Sequence, residues 1–206
     1  MIPVCLILIL LIADQWIKTY IKLHFELGQM RPIFGKWFAL YFIENDGMAF
    51  GMKLFGGGIF GKLVLTIFRL LVSGFGLYYL FSLIKKQAHW GLLIAVSFIL
   101  AGAIGNIIDS VFYGVLYNHS NHYSGSWFEG QVVDMFYAPL WEGHLPEWFP
   151  LWGGEFFVFF SPIWNFADAC ITVGVAIMIV GQNTFFENRL HSEKLVQDSS
   201  TSDSAQ

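Results

Sequence analysis

The stretch Pro162-Ile163-Trp164-Asn165-Phe166-Ala167-Asp168 opens the last long apolar segment of the chain and carries a carboxylate into it. A helix beginning near Ser161 or Pro162 is expected, because a proline at a helix start gives up an N–H that has no partner there anyway. Asn165 and Asp168, three residues apart, then share one face a turn inside. An ionisable group at the edge of a membrane helix is costly unless it faces protein or water. Asp168 is therefore a candidate functional residue, and the rest of the chain must supply its partner.

Working outward, the 206 residues are 56% hydrophobic, 18% aromatic and only 13% charged. With a mean hydropathy of +0.58, that composition points to an integral membrane protein. A net charge of −4 with no basic patch argues against a nucleic-acid partner. Segments 2–23, 63–84, 90–109 and 162–181 each approach the ~20 apolar residues that cross a hydrocarbon core. The first could be read as a signal peptide, but Met1-Ile2-Pro3-Val4 has no positive n-region and no small-residue cleavage site follows. Arg69 is expected near the start of the second span, with its long side chain reaching the interface. Cys5 and Cys170 lie in apolar segments and read as small buried residues, not a disulfide.

The expected fold is an all-α integral membrane protein of four transmembrane helices with a small extracytoplasmic β-rich element. Trp37-Phe38-Ala39-Leu40-Tyr41-Phe42-Ile43 is the clearest strand, followed by turn residues Asn45-Asp46-Gly47 and a Gly56-Gly57-Gly58 hinge. Four spans place both termini on one side, together with Lys85-Lys86-Gln87-Ala88. The long 110–161 connection has no Lys or Arg, which assigns the termini to the cytoplasm, although Arg31, Lys36, Lys53 and Lys62 weigh against that orientation. Residues 1–181 then form the membrane domain and 182–206 a polar cytoplasmic tail, disordered at its end by composition.

Asn106 and Asp109 repeat the three-residue Asn/Asp spacing at the end of the third span, so two polar pairs fall at matching depth. They form either one site or interhelical hydrogen-bond glue. Gln131-Val132-Val133-Asp134-Met135-Phe136 places an acid in an apolar run, which is hard to explain as solvated surface, though a plain loop carboxylate remains open. If Asp134 folds back against Asp168, the like charges cannot both ionise and the pair shares a proton, as in an aspartic peptidase. Asp14 and Lys18, four residues apart, are either an intrahelical ion pair or a brace for the other helices. Asn45-Asp46-Gly47-Met48-Ala49-Phe50-Gly51 is either a turn or a turn whose amide holds a substrate backbone.

In combination, Asp14-Gln15-x-x-Lys18, Asn45-x-Gly47-x-Ala49-Phe50, Gly102-Ala103-x-Gly105-Asn106-x-x-Asp109, Val132-Val133-Asp134 and Asn165-x-Ala167-Asp168 resemble lipoprotein signal peptidase, or signal peptidase II. The five ordered motifs cover about residues 5 to 181. The resemblance implies a catalytic dyad of Asp134 and Asp168. Supporting or substrate-binding residues would be Asp14, Lys18, Asn45, Gly47, Asn106, Asp109, Asn165 and Ala167. It further implies a cofactor-free and metal-free endopeptidase of the bacterial inner membrane, with its site near the periplasmic face. Its substrates would be diacylated prolipoproteins, cut N-terminal to the lipid-modified cysteine, and membrane lipids and globomycin-type inhibitors would be its other partners. Three departures stand out: Ser110 where the family has Arg after the Asn-x-x-Asp acid, Met135 for the usual Phe, and insertions near 117–129 and 140–160.

Other chemistries fit less well. His119 and His122 have no matching metal-ligand cluster, and a His-Glu-x-x-His helix, a Gly-x-Gly-Asp motif and a His in the last two spans are all absent. A small proton-coupled transporter or channel using Asp14, Asp109 and Asp168 is the alternative from another class. Its acids would cluster at one face instead of tracking across, and the chain has no internal repeat.

Overall fold

The computed structural model describes residues 2–35, 37–46, 59–118, 125–150, 152–159 and 162–203, with side chains of the last helix described to residue 185. Its elements are α1 (Ile2–His24), β1 (Met30–Phe34), β2 (Phe38–Asn45), α2 (Ile59–Lys85), α3 (Trp90–Leu116), β3 (Val132–Tyr137), β4 (Trp141–His144), β5 (Phe156–Phe159), β6 (Ile163–Trp164) and α4 (Phe166–Asp203). Four helices, with α4 counted over Phe166–Phe185, are long and apolar enough to cross a membrane.

α3 is the central helix: over half of its apolar window is buried, and α1, α2 and α4 all pack against it. The other three turn large side chains outward, among them Ile12, Trp16, Phe68, Leu71, Phe75 and Tyr78. Such a surface suits lipid, where the backbone is satisfied inside each helix and apolar side chains need no cover. Helix association in lipid then depends on close backbone approach. Gly102 of α3 permits it, since a Cβ there would collide with the Ala167 carbonyl oxygen of α4.

The bundle has an apolar end and a polar end. Towards the α2–α3 turn, Ile7, Leu80, Leu83, Leu92, Val96, Leu100 and Ala101 form one buried cluster. At the opposite end Ile21, Phe25, Phe42, Tyr113, Val133 and Met135 form a second, which joins the helices to a sheet. That sheet has the order β1-β2-β3-β6 and is antiparallel throughout, with Ile43 opposite Asp134 and Phe136 opposite Trp164. Because β6 leads directly into α4, the sheet fixes Asp134 and the entry to α4 together.

Several expectations change. The protein is not strictly all-α: besides the four-stranded sheet, β4 and β5 pair as a separate hairpin within the 140–160 insertion. Residues 163–164 are strand and α4 starts at Phe166, because pairing with β3 outcompetes a proline-started turn. α3 runs on to Leu116, and α2 starts at Ile59, which puts Arg69 well inside the span instead of near its start. Cys5 is exposed on the flank of α1, and only Cys170 is buried. The backbone is helical to Asp203 where composition pointed to disorder. Gly47, Ala49, Phe50, the Gly56-Gly57-Gly58 hinge, His119 and His122 lie outside the described residues.

Candidate active site

Asn165 and Asp168 are joined by the way α4 begins. The Asn165 side-chain oxygen accepts from the Asp168 backbone N–H at 3.0 Å, and an Asp168 carboxylate oxygen accepts from the Asn165 backbone N–H at 3.4 Å. This reciprocal capping arrangement satisfies two N–H groups that a helix start leaves without partners, and it holds the Asp168 carboxylate in the first turn. A carboxylate there is also favoured by the positive end of the helix dipole. The spacing of three thus serves a cap as well as a shared face.

Asp134 reaches the same place from β3. Asn165 Nδ2 donates to Asp134 Oδ1 at 2.6 Å, and Asn45 Nδ2, from the end of β2, donates to Asp134 Oδ2 at 3.2 Å. From α3, Asn106 Nδ2 donates to Asp168 Oδ1 at 2.9 Å. Asn165 therefore bridges the two acids, with Asn45 and Asn106 holding one each. Asp134 is 2% exposed. Burial, and then the Asp168 charge, push its carboxyl up to about 7, against the pull of the Asn45 and Asn165 amides.

Behind this pair lies a second polar layer. Lys18 Nζ, fully buried, contacts Asp14 Oδ2 at 3.0 Å and Asp109 Oδ2 at 2.8 Å, and donates to Asn106 Oδ1 at 2.9 Å. The Asp14–Lys18 spacing is thus both the intrahelical pair and the brace between helices. Gln15 Nε2 donates to Asp14 Oδ2 and Asp109 Oδ1, both at 3.0 Å, and Tyr113 OH donates to Gln15 Oε1 at 3.0 Å. Gly105 makes room, since a Cβ there would lie 2.6 Å from Asp14 Oδ2. The layer ties back to β3 through the Val133 backbone N–H, which donates to Asp109 Oδ2 at 3.4 Å. Asn106 links the layers, because its oxygen receives Lys18 and Asn165 while its amide serves Asp168.

All the sequence candidates among the described residues converge here. Ala167 contributes through its backbone and methyl group at the α3 contact, and Gly47 lies outside the described residues. Ser110 turns its hydroxyl back to the Asn106 carbonyl oxygen at 2.9 Å, so it puts no charge where the resembling family has arginine. Met135 is fully buried in the sheet-end cluster. Tyr113 is a site residue that the sequence motifs do not single out. Tyr113 stands one turn beyond Asp109 on the same face, which is the signal that could have found it. No group of three or more potential metal ligands occurs among the described residues.

A lipid-facing bundle that buries two amide-held carboxylates at its sheet end defines an integral membrane protein with a site suited to acid–base chemistry. The model of the family described as signal peptidase (SPase) II matches residues 6–184, and the chain belongs to that family of enzymes. A lipoprotein signal peptidase of Porphyromonas gingivalis (strain ATCC 33277) is 44% identical, over 97% of this chain and 90% of that protein. One from Amoebophilus asiaticus is 39% identical, over 84% of this chain and 74% of its own length. Among solved structures, a bacterial membrane enzyme determined by the in meso method at 2.3 Å shares the fold, with a TM-score of 0.55, 22% identity and 88% of each chain covered.

Proposed function

We propose that the protein is an intramembrane aspartic endopeptidase that removes signal peptides from diacylglyceryl-modified prolipoproteins, cutting N-terminal to the lipid-modified cysteine. The observation that carries the reading is the pair Asp134 and Asp168, bridged by Asn165 and held by side-chain amides at hydrogen-bond distance. Asp134, raised to about 7, is the member that holds the proton near neutral pH. Asp168 takes a proton from water, and the resulting hydroxide attacks the scissile carbonyl while Asp134 protonates its oxygen. Collapse of the tetrahedral intermediate breaks the C–N bond: one hydroxyl proton returns to Asp134 as the carbonyl re-forms, and the proton taken up by Asp168 passes to the leaving amine. Asn45, Asn106 and Asn165 keep the two carboxylates oriented through the cycle.

The family membership and the relatives' names support a prolipoprotein substrate and a bacterial inner-membrane location. In this reading both termini and residues 182–206 are cytoplasmic, the sheet end faces the periplasm, and acyl chains of the substrate dock between the lipid-facing helices. Globomycin-type inhibitors would occupy the same site. A proton relay through Asp14, Asp109 and Asp168 is disfavoured because Lys18 joins Asp14 to Asp109 and the other end of the bundle is apolar. The test is cleavage of a diacylated precursor by the purified protein in liposomes. Wild type should release the signal peptide, and Asp134→Asn and Asp168→Asn should each be inactive. Retained cleavage in either variant would overturn the assignment.

A further inference from the structure

Lys18 is enclosed by Asp14, Asp109 and Asn106, Lys22 pairs with Glu44, and Lys62 pairs with Asp46 at 3.1 Å. Another cation, Arg69, lies inside a span on a helix that supplies no other candidate residue. Thr66, Arg69 and Ser73 recur at the spacing of one helix face on α2, and Thr66 and Ser73 are buried at 2% and 6% exposure. Ile67, Phe68, Leu71 and Val72 are exposed on the remaining surface, so the stripe faces the bundle and Arg69 is carried inward with it. One turn before Thr66, Lys62 Nζ donates to the Glu129 carbonyl oxygen at 2.8 Å, which ties the sheet end of α2 to the segment leading into β3. Asp168, then Asp109 and Asp134, are the charges that act on Arg69. An arginine at this depth in a span is costly unless it serves a charge partner.

We infer that Arg69 is a positioning residue for the reaction, supplying from α2 the positive charge that balances the Asp134–Asp168 pair, where the family resemblance would place an arginine next to Asp109. The inference rests on the acid-pair reading above. Ser110, which occupies the family's arginine position, is neutral and bonded to Asn106. The acids whose charges act on Arg69 are Asp168 on α4, Asp109 on α3 and Asp134 on β3. Asp14 and Lys18 lie behind Asp109, and Lys62 is on its own helix. With the pair holding one proton, its net charge is negative, and Arg69 favours that state over the doubly protonated one.

The test is the pH profile of kcat/KM for precursor cleavage by the full chain in liposomes, for wild type, Arg69→Met, Arg69→Gln and Arg69→Lys. Removing the charge makes the shared proton pair harder to deprotonate. Both neutral variants should therefore have the acidic limb moved up by about one unit, with kcat/KM reduced about 10-fold on that limb. Arg69→Lys should return the limb towards the wild-type position. A wild-type profile in Arg69→Met would overturn the inference, as would a uniform drop with an unmoved limb. Failure of both neutral variants to insert while Arg69→Lys is normal would mark the role as structural and also overturn it. Asp168→Asn in the same assay separates the two claims: if it still cleaves, the acid-pair reading itself fails, whereas if it is inactive and Arg69→Met is normal, only the role of Arg69 fails.

Discussion

Asp14 and Asp109 share a lysine, whereas Asp134 and Asp168 are held by asparagines. Both groups sit at the sheet end of the bundle; Asp14, Asp109 and Asp134 are nearly inaccessible and Asp168 is half-buried, so each group contains a deeply buried acid and burial alone does not separate them. What separates them is the partner. In the first group a buried ammonium lies within 3.0 Å of each acid and neutralises much of its charge, giving a fixed cross-brace between α1 and α3. In the second, neutral amides orient the carboxylates, and the proton remains available for transfer. The difference shows how one cluster of acids can contain both a strut and a reactive pair.

The comparison breaks most sharply at Asp168. Asp168→Asn should lower kcat for precursor cleavage by about 10³-fold or more, the scale of a lost acid–base group, with the protein still inserting and melting cooperatively. Lys18→Met, in the other group, should act on stability: it leaves Asp14 and Asp109 buried without their cation, at a cost of about 3–5 kcal/mol. Thermal melting in detergent should fall by roughly 10 °C. The triple variant Asp14→Asn, Lys18→Met, Asp109→Asn should recover much of that loss, since no lone buried charge remains.

A smaller effect of opposite sign sharpens the contrast. The folded-state value for Asp134 lies above its ordinary 3.8, so its ionisation opposes folding increasingly as pH rises from there towards 7, and fully above 7. Asp134→Asn should therefore raise Tm at pH 8 by about 2–4 °C, roughly 1 kcal/mol, and change it little at pH 4. A drop in Tm at pH 8 would mean that the asparagines stabilise the carboxylate more than burial opposes it. Least of all, Ser110→Ala removes one hydroxyl bonded to its own helix and should cost at most about 1 kcal/mol, with cleavage little changed.

Much of this site is legible in the chain because its chemistry needs residue types that are out of place in apolar segments. Asp14, Lys18, Asn106, Asp109, Asp134 and Asp168 stand out against their neighbours for that reason alone. Arg69 stands out too, but its direction does not: a long side chain in a span can reach the interface or the interior, and only the burial of Thr66 and Ser73 shows which face turns inward. The short β6 is invisible because two residues carry no periodicity. Its strand geometry comes from pairing Ile163 and Trp164 with Tyr137 and Phe136. The β4–β5 hairpin is hidden for a related reason, since its aromatic residues suit a membrane interface as well as a strand.

By itself the sequence determined that four segments would cross a membrane and that acids and asparagines would gather at one end, because hydropathy and residue spacing are local properties. The tertiary structure settles which acids are joined to a lysine and which to amides. That outcome depends on where α1 meets α3 and where β3 meets the start of α4, distances across the fold that no local pattern encodes.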